Sequence, residues 1–176
     1  MAGTIDPLGN RPAAAYTRRM TEVNGLRLAY RGLVAGLAGG YVWAGTAMTL
    51  SALAFGDPLR PLRPFALAIT PLAGSPELAF VLGLFAVQAG GALTGMCFAY
   101  FFARFFTVRA TVAIAAPAVS LLAWGLIAGA VARDTGVVEF ATHPIPVLAS
   151  LAYGLLLGAA VPVRGDVRRP VLATSD

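Results

Sequence analysis

The chain has 176 residues, of which 58% are hydrophobic and 12% charged, about half the roughly 25% charge of soluble domains. That balance excludes an ordinary soluble domain, and the length suits about four membrane spans of about 20 residues each. The net charge of +5 comes from 13 basic residues, all arginine, which flank apolar runs instead of clustering, so it points to topology and anionic headgroups and away from nucleic acid.

Residues 1–28 form a polar amino-terminal segment with Pro7, Pro12 and several arginines. A short interfacial helix is expected over about 16–28. The segment lacks the apolar core of a signal peptide, and the 24-residue run 32–55 that follows exceeds the 7–15 residues typical of such a core. The membrane domain is therefore expected over 29–163. Span one covers about 30–55 and stops at Gly56 and Pro58. The proline-punctuated link 56–76 contains FALAIT, 65–70, too short to cross and expected to lie in the interface or re-enter against protein. Span two covers about 77–103, 104–109 is a tight turn, and span three covers about 110–132, with Pro117 placed to bend it. A second link, 133–143, leads to span four, about 144–163, where Pro144 and Pro146 suit a first turn. Residues 164–176 are a polar tail.

Four spans put both termini on one side. Ten arginines lie in the amino-terminal segment through Arg31, the 104–109 turn and the tail, against Arg60, Arg63 and Arg133 in the other links. The bias makes both termini cytoplasmic. The rings of Phe98, Tyr100, Phe101, Phe102, Phe105 and Phe106 then sit at the cytoplasmic interface.

Each span carries glycines four apart, hence on one helix face: Gly32, Gly36 and Gly40; Gly91 and Gly95; Gly125 and Gly129; Gly154 and Gly158. Bare faces let backbones approach closely in lipid. The fold class expected is an all-α bundle of four transmembrane helices with GxxxG-type packing. The stripes pack the helices on each other, or some face a partner subunit or a flat ring-shaped ligand.

The spans are almost free of Asp and Glu, which argues against proton- or cation-coupled transport. Gln88, Thr46, Thr49, Ser51, Thr94 and Ser120 are read as helix-to-helix hydrogen-bonding groups rather than pore lining. Trp43 and Trp124 lie within spans, their indoles facing lipid, core, a partner, or a bound pigment or quinone. Cys97, the single cysteine, reads as a packing residue. His143, the single histidine, could ligate one pigment or haem iron, or cap the proline-started helix it precedes. No phosphate loop, nucleophile motif or metal-ligand spacing is present.

These features lead to the expectation of a non-catalytic accessory or scaffold subunit of a larger complex in the bacterial cytoplasmic (inner) membrane, an energy-transducing one of the respiratory or photosynthetic kind. Its partners would be other membrane subunits and lipids, and no nucleic acid. The sequence requires no cofactor and leaves room for bound lipid or one pigment or haem. The first alternative is a small homo-oligomeric channel or transporter. The second is a pigment- or haem-binding subunit that uses His143.

Overall fold

The computed structural model describes residues 13–71, 75–103, 105–106, 108–135 and 142–161. The first twelve residues, Arg104, most of the 133–143 link including Glu139, and the tail lie outside them.

Helix α1 runs Ala13–Phe55 without interruption. The expected separate interfacial helix is therefore absent. After Pro12 the sequence offers alanine, arginine, leucine and methionine and no proline, and the lone Gly25 costs a helix only about 1 kcal/mol. At 43 residues the helix is about 65 Å long, some twice the hydrocarbon thickness. It stops at Gly56, whose φ of 71° is the left-handed conformation glycine adopts most readily.

The following link is ordered by Asp57. Its carboxylate accepts from the Leu59 N–H (3.0 Å) and pairs with Arg63 (3.0 Å), while its carbonyl accepts from the Ser51 hydroxyl (2.9 Å). This turn launches the short helix α2, Arg63–Ile69, with Pro64 in its first turn. The FALAIT piece thus folds back on the bundle, burying Phe65 and Ala66.

Helix α3, Pro76–Cys97, starts at Ser75, whose Oγ accepts from the Leu78 N–H (3.2 Å), with Pro76 and Glu77 in its first turn. It widens into a π-helical segment, Phe98–Ala103, a change of pitch that the span-two pattern does not announce. Helix α4 runs Arg109–Thr135 and contains Pro117. Helix α5 runs Pro144–Ala160. At the far end of α5, Arg109 donates to the Ala159 carbonyl (2.8 Å), one of the orphan acceptors of a helix C-terminus.

The segments 25–55, 76–103 and 109–133 are long and apolar enough to cross a membrane, and 144–160 is a shorter apolar helix. Large apolar side chains face outward, among them Leu53, Ile114 and Leu126, each at least three-quarters exposed (80%, 75% and 77%). The chain is accordingly a helical membrane protein, apolar outside as well as in.

The helices pack as an arc in the order α3, α1, α5, α4. Helix α1 lies against both α3 and α5, and α4 lies against α5. Between the two ends of the arc, α3 and α4 have no extensive contact of their own. Helix α2 bridges them at one end, and the π-helical segment touches α1, α3 and α4 at the other.

Candidate functional site

The α1–α3 seam is made by backbone. A Cβ built on Gly36 would land on the Gly91 carbonyl oxygen, and one on Gly32 would meet the Gly95 oxygen and the Ala99 methyl. A Cβ on Gly95 would reciprocally meet the Gly32 oxygen, and one on Gly91 would lie 2.8 Å from the Gly36 oxygen. One on Gly40 would lie 2.6 Å from the Gln88 side chain. With its amide turned so that both atoms are satisfied, Gln88 donates to Leu37 O (2.8 Å) and accepts from the Tyr41 N–H (3.1 Å). It is a bond between α3 and the α1 backbone.

The α4–α5 seam is similar. A Cβ built on Gly154 would lie 2.5 Å from the Pro117 Cα, and one on Gly158 would meet Ala113 and Ala116 at 3.1 and 3.3 Å. Pro117 has no N–H to offer a helix, and here its bare backbone receives the neighbouring helix. Gly125 and Gly129 differ: a Cβ on either would meet nothing within 4 Å. Their face of α4, with Leu122 and Leu126, points away from the bundle.

Two glycines outside the four-residue stripes are also crowded. A Cβ built on Gly39 would meet the Tyr153 ring at 2.6 Å, and one on Gly83 would meet the Leu62 carbonyl oxygen at 2.6 Å. The Tyr153 hydroxyl donates to the Gly91 carbonyl (2.7 Å). Gly91 therefore joins α1, α3 and α5. Spacing within one helix cannot reveal such contacts, because the bulky partner lies on another.

Where α3 and α4 stand apart, they enclose a crevice of about 360 Å³. Its back wall is α1 and α5, with Gly40, Trp43, Ser150 and Tyr153. Gly90, Gly91 and Thr94 line it from α3, and Ser120, Trp124 and Ile127 from α4. Phe65 and Ile69 of α2 cover one end. Three rings form a cluster there. Trp43 and Trp124 lie 5.5 Å apart at 35°, and Phe65 meets Trp43 edge-on at 5.8 Å and Trp124 at 6.3 Å. All three are buried.

Trp43, Ser120 and Ser150 at the crevice bond within the bundle itself. The Trp43 indole N–H donates to Ser150 Oγ (2.9 Å), which donates to the Pro146 carbonyl (2.8 Å). Ser120 donates to the Ser150 carbonyl (2.6 Å). A buried hydroxyl or indole left unbonded would cost about 1–3 kcal/mol, so this relay fixes α1, α4 and α5 around the cavity. Among the described residues, the buried polar or charged side chains are Ser51, Ser120 and Ser150, and each is hydrogen-bonded. This interior suits an apolar guest and offers no ladder of polar groups for an ion.

His143 lies elsewhere. It is the N-cap of α5, with Nδ1 accepting from the Ile145 N–H (3.3 Å) and its ring against Phe55 at 5.2 Å. No cluster of three or more His, Cys, Asp or Glu able to hold a metal occurs among the described residues. Cys97 is a half-buried free thiol at the end of α3. The rings of Phe101 and Phe105 are exposed (54% and 68%), and Phe98 is fully buried and stacks on Phe102.

Comparison with protein-family models, with curated proteins and with solved structures finds no match.

Proposed function

We propose that the protein is a non-catalytic, four-span accessory subunit of a bacterial inner-membrane complex whose bundle keeps a crevice for an apolar molecule taken from the bilayer. The observation that carries this reading is the gap between α3 and α4. Seven of the nine striped glycines are used to press α1 on α3 and α4 on α5, yet the same bundle leaves about 360 Å³ unfilled beside its aromatic cluster. A guest soluble in lipid can enter the crevice sideways between α3 and α4.

The fourth span is α5, whose 17 residues measure about 25 Å, enough with Arg109 and the flanking turns at its ends. The arginine bias supports cytoplasmic termini. The outward face of α4, with Gly125, Gly129 and exposed Leu122 and Leu126, supports contact with a neighbouring subunit. Extraction in mild detergent, followed by mass spectrometry of everything retained, tests both parts. A stoichiometric apolar molecule and at least one membrane protein should accompany the chain. A lipid-free, partner-free and fully stable monomer would refute the reading.

A further inference from the structure

The geometry points to a planar, carbonyl-bearing ring on an alkyl or isoprenoid tail, a lipid of quinone chemistry, as the guest of the crevice. This rests on the proposed function and narrows it to one ligand class. A cavity of about 150 Å³ takes a single benzene, and this one, at about 360 Å³, has room for a substituted ring and the start of its tail. Trp43 on α1, Phe65 on α2 and Trp124 on α4 gather their rings at the crevice, and α3 opposite contributes Gly90 and Thr94 among Ala86, Val87 and Leu93. A planar ring can meet the edges of that aromatic cluster, whereas an acyl chain gains nothing particular from indoles.

The polar complement agrees. Thr94 in the wall brings a hydroxyl that can donate to a ring carbonyl. Ser120 and Tyr153 donate to carbonyls of the protein, so their oxygens remain as acceptors for a hydroxylated ring. A tetrapyrrole fits less well: its metal would want an axial ligand, and His143 is held at the start of α5 as a cap. The tail has a way out between α3 and α4, where the helices do not pack extensively.

The chain's two tryptophans both line this crevice, so tryptophan fluorescence, excited where tyrosine does not absorb, reports on it. The experiment titrates the purified protein in detergent with a decyl-tailed benzoquinone and, separately, with a phosphatidylglycerol brominated on its acyl chains. Saturable quenching by the quinone is expected, reduced at least tenfold in apparent affinity by Ala123→Phe or the milder Ala123→Met, which fill the slot. It should be unchanged by Leu126→Phe on the outer face and weakened about fivefold by Thr94→Val, the equivalent of one neutral hydrogen bond. If the brominated chains quench saturably, sensitive to the same Ala123 variants, while the quinone does not, the guest is an acyl chain. The ring assignment is then overturned and the bilayer-guest reading stands. If neither probe quenches in a way that Ala123 controls, both fall.

Discussion

A methyl group added at Gly36 would coincide with the Gly91 carbonyl oxygen, and nothing there is a flexible side-chain end that could swing aside. Gly36→Ala should therefore force α1 and α3 apart and lower stability by about 1–3 kcal/mol, the usual cost of overpacking a filled seam. Gly125→Ala, with open space beyond it, should stay within about 0.5 kcal/mol of the parent. Thermal or denaturant unfolding in a common detergent compares the two. The sequence pattern treats these glycines alike, because a four-residue spacing says that a face is bare and not what it faces. The Trp43–Ser150 bond makes a second residue-scale prediction. Ser150→Ala strands a buried indole N–H that now donates at 2.9 Å, so a loss of about 1–3 kcal/mol is expected, together with altered tryptophan fluorescence. Ser150 could be read from sequence only as a small residue. Its role depends on Trp43, 107 positions away.

At the scale of elements, the start of the last helix was the most readable feature. Pro144 and Pro146 open α5 beside the capping His143, as their chemistry suggests. His143→Asn should preserve α5 because asparagine also caps well, and His143→Ala should cost about 1 kcal/mol, both read from unfolding curves. A ligand role would instead leave both variants equally defective in binding a haem or pigment. What sequence periodicity could not supply was continuity and pitch. Nothing in residues 13–31 stops a helix, so α1 simply extends beyond the hydrocarbon. The π-helical turn at Phe98–Ala103 answers to the packing of buried Phe98 and Ala99 against the bundle. Helix α2 was visible only as an apolar piece too short to cross. Its burial of Phe65 depends on the gap that it covers.

For the whole molecule, composition and hydropathy sufficed to place four apolar helices, while the order in which they pack depended on contacts that no single helix encodes. The arc α3, α1, α5, α4 follows from two glycine seams and leaves its two ends apart. The resulting crevice was legible only as two tryptophans inside spans with their surroundings open. If both termini are cytoplasmic, single cysteines introduced by Thr17→Cys and Thr174→Cys on a Cys97→Ala background should react with a membrane-impermeant maleimide only after the cytoplasmic side is exposed. Labelling of either from the outer side of intact cells would reverse or break the four-span arrangement. The account as a whole depends on the separation of α3 from α4. A density map of the protein in a lipid nanodisc tests it most directly. The account predicts an elongated, non-protein density lying between Gly90 and Trp124 and leaving the bundle sideways under α2. Closure of α3 against α4 with no space between them, or a continuous file of water through the crevice, would contradict it.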